Sequence, residues 1–174
     1  MSKTRRLAVD AMLAAMCAVL GALSIDLGNL KITFEGFPVL LGALLFGPLD
    51  GLAIGGIGTL VYQLLRYGVS VTTPLWILPY MLAGLLVGLI AKGEKELSLK
   101  RLALAVFSSS LLIFLLNTLV LYLDSKIYGY YSPVYIFGSF LPRLVICLGK
   151  AAAYTAVLPE LLRVSRRVLK DGRG

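Results

Sequence analysis

The stretch "FLPRLVICLGKAAAYTAVLPELL", residues 140–162, reads as an apolar helix that carries Arg143 and Lys150 in its body. Seven residues is about two turns, so both side chains project from nearly the same face. An ionised group inside a spanning segment faces a cavity or a partner as a rule, and the chemistry two cations offer there is recognition of an anion or an acceptor-rich ring. A second set of polar and aromatic residues sits toward one end of other apolar runs: Tyr62, Gln63 and Arg66, then Trp76 and Tyr80, then Asn117. Small-molecule pockets are mostly apolar and aromatic with a few orienting polar groups, and this set has that makeup. Each member also has a plainer role. Trp76 and Tyr80 suit an interfacial aromatic belt, Asn117 an interhelical hydrogen bond, Arg66 and Lys150 snorkelling, and Arg143 an ion pair with a loop carboxylate such as Glu35 or Asp26.

Catalysis has little to work with in this chain. It has no histidine, and its two cysteines, Cys17 and Cys147, lie within apolar runs. Zinc chemistry, a disulfide framework and histidine-based catalysis are therefore unsupported. Asp10 and Asp50 fall at or near the edge of a span, Glu160 near a helix end, and Asp26, Glu35 and Asp124 in loops, with no pair placed on an obvious buried face. Ser108, Ser109 and Ser110 lack a base, and hydroxyls in spans usually bond back to the preceding turn. No G-x-x-x-x-G-K-[ST] loop is present, and the cluster Gly51, Gly55, Gly56 and Gly58 reads as close helix packing rather than a phosphate cradle. No catalytic residue, metal or cofactor is expected.

The elements that must hold these residues follow from composition. Of the 174 residues 59% are hydrophobic and 15% charged, with apolar runs along most of the length, which gives one integral membrane domain over residues 1–174. The expected fold is all-α with six transmembrane helices, roughly 8–25, 37–47, 51–65, 74–91, 102–123 and 136–162. The second run, "FPVLLGALLF", covers only about half of a ~30 Å hydrocarbon core. "DLGNLKITFEG" is expected at the surface, "GPLDG" as a tight turn, and the tail after residue 162 as basic and frayed. The first run is longer than the apolar core of a signal peptide and is expected to be retained.

Twelve Lys and Arg residues (3, 5, 6, 92, 95, 100, 101, 163, 166, 167, 170 and 173) fall on one side of this layout, and Lys31, Arg66 and Lys126 on the other. The positive-inside bias places both termini in the cytoplasm, as six spans require. The net charge of +8 is thus an orientation signal and not a nucleic-acid face. Tyr128, Tyr130, Tyr131 and Tyr135 precede the last span and suit an aromatic belt or, alternatively, a lid over a ligand.

Small residues recur at four-residue spacing on the first run, as Ala11 and Ala15, then Ala14, Ala18 and Ala22. Such a stripe serves internal packing or docking of another membrane subunit. Together with "ITFEGFPVLLGALLFGPLDGLAIGGIGTL", "LLNTLVLYL" and "FLPRLVICLGK", the stripe "AMLAAMCAVLGAL" resembles the substrate-binding S-components of energy-coupling factor vitamin transporters over nearly the whole chain. "LLNTL" with "PRL" is most similar to the folate-specific branch, and by that likeness Asn117 and Arg143 correspond to its asparagine and arginine. The resemblance implies a subunit of a prokaryotic cytoplasmic membrane that captures a water-soluble vitamin and docks through the stripe to a scaffold subunit served by two ATPases. Folate is favoured; riboflavin, pantothenate and pyridoxine are alternatives, as is a stand-alone secondary transporter or channel. Tyr62, Gln63, Arg66, Trp76, Tyr80 and Lys150 join Asn117 and Arg143 as candidate ligand contacts.

Overall fold

The computed structural model describes residues 3–27, 30–93 and 98–171. Lys95 and Arg173 of the charge count lie outside the described residues, and the side chains of Asp26, Tyr135 and Lys170 are likewise outside them. The fold is helical, with helices α1 (Lys3–Ala22), α2 (Gly36–Phe46), α3 (Pro48–Tyr67), α4 (Thr73–Ala91), α5 (Leu99–Ile127), α6 (Pro133–Gly138) and α7 (Phe140–Asp171). Between α1 and α2 lies one antiparallel hairpin, β1 (Ile25–Leu27) and β2 (Leu30–Ile32), with Ile25 opposite Ile32. Helices α3, α4, α5 and α7 are long and apolar enough to cross a membrane. Helix α1 carries Lys3, Arg5, Arg6 and Asp10 in its first half, and α2 is an apolar helix of 11 residues.

Helix α2 organises the bundle. It is apolar all round, so it must be enclosed, and Pro38 through Leu44 are buried against α1, α3, α4 and α7. Its neighbours supply the rest of one core, including Leu13 and Cys17 of α1, Ile54 of α3, Val87 of α4, Leu102 and Val106 of α5, and Ala151 and Leu158 of α7. At 1.5 Å per residue α2 rises about 16 Å. The spanning helices continue beyond its start, so the half of the bundle above Gly36 is left for loops and a cavity.

The glycine run on α3 makes this packing possible. A Cβ on Gly55 would lie 2.5 Å from the Tyr80 carbonyl oxygen of α4, and one on Gly58 2.8 Å from the Ala14 carbonyl oxygen of α1. Both backbones approach closely because these positions carry no side chain.

Several expected boundaries shift. The stretch 31–36 is at the surface only in part: Phe34 is exposed, but Thr33 and Glu35 are buried, because the chain must descend to the recessed start of α2. The turn after α2 is shorter than "GPLDG". Gly47 alone makes it, at φ 110°, and Pro48 opens α3 with Asp50 in its first turn. The last run is split, with α6 ending before Ser139 and α7 starting at Phe140. Pro142 has no N–H and its ring opposes the carbonyl four residues back, which disfavours a regular helix through residue 138. Nor is the tail frayed as far as Asp171: α7 has 32 residues, about 48 Å, and its last turns project beyond a ~30 Å core.

Helix α1 also divides the alanine stripe. Ala14 and Ala18 are buried inside the chain, whereas Ala11, Ala15 and Ala22 are exposed. Residues three and four apart drift around a helix, so two rows that look alike in sequence end on different faces. The first is internal packing. Only the second is open to another subunit.

The carboxylates at the terminal end are closer than the sequence indicated. Asp10 of α1 lies beside Asp50 of α3, and Arg6 bridges them to α2: its Nε donates to Asp50 Oδ1 at 2.8 Å and its Nη2 to the Phe46 carbonyl at 3.1 Å. The one-residue turn at Gly47 swings Asp50 back under α1.

Candidate functional site

The space above α2 is a two-lobed cavity. The larger lobe has a volume of about 430 Å³, and a deeper one of about 110 Å³ continues from it; Lys31, Thr33, Tyr80, Asn117 and Arg143 line both. Its floor is built by Gly36 and Leu40 of α2, its walls by α3, α4, α5 and α7, and its mouth is bordered by Ser70, Tyr128 and Tyr130.

Seven of the eight residues singled out in the sequence line this cavity. Tyr62 and Gln63 enter from α3, Trp76 and Tyr80 from α4, Asn117 from α5, and Arg143 and Lys150 from α7. Arg66 is exposed near the end of α3 and is not among the lining residues. Arg66 lies on the same side of α3 as Tyr62 and Gln63 but one turn nearer the helix end, where the side chain is exposed.

The deep lobe is cationic. Lys31, Arg143 and Lys150 line it, together with Ser110, Asn117 and Thr118, and no carboxylate among the described residues does. Arg143 Nη2 donates to the Ile136 carbonyl at 2.7 Å and Nε to the Ser139 carbonyl at 3.3 Å. The guanidinium thereby binds carbonyls at and just beyond the end of α6, a favourable place for a cation, the Ser139 carbonyl also accepting from the Arg143 backbone N–H at 3.1 Å. The Asp26 side chain, one of the two carboxylates expected to pair with Arg143, lies outside the described residues. Two turns deeper, Lys150 Nζ donates to the Thr33 carbonyl at 3.1 Å. Asn117 Oδ1 is buried and has no hydrogen-bond partner among the described residues.

The larger lobe is aromatic. Tyr62, Tyr67, Trp76, Tyr80, Tyr128 and Tyr130 surround it, with Glu35 and Asp124 as its two carboxylates. Lys31 reaches from β2 to the Tyr62 and Tyr67 hydroxyls and lies 5.0 Å from the centroid of each ring, which closes the hairpin onto the end of α3. Glu35 Oε1 accepts from Thr33 Oγ1 at 3.1 Å, while Oε2 is buried without a hydrogen-bond partner among the described residues. Burial pushes the Glu35 carboxyl above its ordinary range, opposed by Tyr80 and Thr33 beside it and by the charges of Lys150 and Lys31.

Lys31, Thr33, Tyr67, Thr72 and Asp124 also line the cavity, beyond the residues expected there. The available signal was the length of the second apolar run. A helix too short to cross leaves a void, and the residues before it must enter that void.

Over residues 5–162 the chain matches the profile of the family described as "ECF transporter, substrate-specific component". No curated protein sequence matches it. Among solved structures, the S component of a bacterial ECF transporter is 21% identical, with 97% of this chain and 99% of that one covered and a TM-score of 0.66. FolT bound with folic acid is 24% identical, with 89% of each chain covered and a TM-score of 0.65. At these identities the two structures establish a shared fold, and the profile, which takes in most of the sequence, establishes kinship: the chain belongs to the substrate-specific components of energy-coupling factor transporters.

Proposed function

We propose that this protein captures a folate-like vitamin in the two-lobed cavity and delivers it to an energy-coupling module. The single observation that carries the reading is the cavity itself. Its larger lobe falls within the roughly 300–1,000 Å³ usual for small-molecule sites, and it joins an aromatic wall to a deep lobe holding Arg143, Lys150 and Asn117. A ligand with a flat heteroaromatic ring and ionised or acceptor-rich groups satisfies both lobes, and folate has both. The fold likeness to FolT bound with folic acid supports the choice. Riboflavin, pantothenate and pyridoxine are the competitors to be tested beside it.

The twelve-to-three distribution of basic residues supports six spans with cytoplasmic termini, which turns the hairpin end and the cavity mouth outward. The membrane is then a prokaryotic cytoplasmic membrane, and α7 extends beyond it on the inner side. The exposed row Ala11, Ala15 and Ala22 is the face offered to a scaffold subunit, whose two ATPases supply the energy; this chain carries no catalytic role in the proposal. Native mass spectrometry of the detergent-purified protein tests the reading. A retained mass equal to that of a folate supports it, and a retained vitamin of another class replaces folate as the ligand.

A further inference from the structure

One carboxylate ties together three segments at the cavity mouth. Asp124, in the last turn of α5, accepts hydrogen bonds on Oδ1 from Thr72 Oγ1 at 2.5 Å and from Trp76 Nε1 at 3.3 Å, and on Oδ2 from the Tyr130 hydroxyl. Thr72 belongs to the loop before α4, Trp76 to the first turn of α4, and Tyr130 to the loop after α5. All four residues line the larger lobe. Thr72 is itself buried and its hydroxyl is within 3.2 Å of Ser70 Oγ, so the network continues into the 68–72 loop. On its other side the 128–132 loop is held by Tyr131, edge-on to Tyr122 and 3.7 Å beneath Lys126 Nζ.

We propose that Asp124 is a positioning residue for ligand capture: it sets the ring plane of Trp76 in the cavity wall and holds Tyr130 at the mouth. An indole N–H is a donor only, and the carboxylate gives it one fixed acceptor. A ring already ordered does not have to be ordered by the ligand, so its fixation appears as affinity. The proposal rests on the reading of this cavity as the ligand site, and its first arm is independent of which ligand binds.

Trp76 is the only tryptophan in the chain, so intrinsic emission of the full-length protein in nanodiscs reports this ring alone. Asp124→Leu removes all three hydrogen bonds. Asp124→Asn keeps an oxygen for Thr72 and Trp76 and offers its amide N–H to Tyr130. Without ligand, Asp124→Leu is expected to raise acrylamide quenching of Trp76 at least about twofold, with Asp124→Asn close to wild type. In folate titrations followed by the same emission, Asp124→Leu is expected to bind about tenfold more weakly and Asp124→Asn within about threefold of wild type. Unchanged quenching in folded Asp124→Leu overturns the proposal, as does a looser ring with unchanged affinity. Should Asp124→Leu fail to fold, Thr72→Val and Tyr130→Phe each remove one bond, and both must weaken folate binding about threefold or the proposal fails. If wild-type emission ignores folate while the quenching contrast is present, the folate reading falls and the role of Asp124 in affinity falls with it, leaving only the fixed ring.

Discussion

Lys150 Nζ donates to the carbonyl oxygen of Thr33 at 3.1 Å, which joins the middle of α7 to the strap that leads from the hairpin down to α2. The ammonium is thus held by backbone at the cavity floor, beside the carboxylate of Glu35. Lys150→Met keeps most of the apolar stem and removes the donor, leaving the Thr33 carbonyl and Glu35 short of a partner. The expected loss is about 1–3 kcal/mol of stability, the usual cost of an unsatisfied buried polar group. Thermal unfolding in detergent should show a lowered midpoint; an unchanged one would mean that Lys150 contributes through ligand contact alone.

Arg143 has two tasks. It serves the Ile136 and Ser139 carbonyls and faces both lobes. Arg143→Ala should therefore weaken folate binding by about one to two decades, corresponding to roughly 1.5–3 kcal/mol for a charge-assisted contact. Arg143→Lys is expected to recover little of it, since an ammonium lacks the planar fork. Calorimetric titration of the three proteins decides: a folded Arg143→Ala with wild-type affinity would leave Arg143 a purely structural brace for α6.

The division of the alanine stripe separates two effects. Ala15 is exposed on α1, so Ala15→Trp should leave folate binding intact while vitamin uptake by cells falls. Ala14 is buried where α1 meets α3 at Gly58, and Ala14→Trp overpacks that contact. Binding and thermal stability should both fall in that variant. Normal uptake with Ala15→Trp would remove the exposed row as a docking face.

Much of this site was legible in the sequence because spanning segments tolerate few polar residues, so those that occur stand out. Arg143, Asn117 and Lys150 were conspicuous in apolar runs, and all three line the cavity. What stayed hidden came from the segments between runs. Asp124 and Glu35 look like ordinary loop carboxylates until α5 and the strap before α2 place them inside. Arg66 erred in the other direction: it shares a polar cluster and a helix face with Tyr62 and Gln63, but its place in the last turn of α3 leaves it exposed. The break at Ser139 had a signal in Pro142, but a proline early in a helix is also tolerated, so its effect depended on what preceded it.

Orientation has its own test. Lys126 lies in α5 near the cavity mouth and Lys92 follows α4 at the opposite end. In a background with Cys17 and Cys147 replaced by alanine, Lys126→Cys should react with an impermeant thiol reagent on intact cells, and Lys92→Cys only after permeabilisation. The reverse pattern would place the cavity mouth inward and remove capture from outside.

The most direct measurement is calorimetric titration of the purified wild-type protein with folate, riboflavin, pantothenate and pyridoxine, each after any copurified ligand has been removed by unfolding and refolding or by exhaustive exchange. The account predicts one-to-one binding of folate, tighter than each of the other three by at least about tenfold. Tight binding of another of these vitamins with none of folate would contradict the folate assignment, and binding of none of the four would contradict the reading of the cavity as a vitamin site.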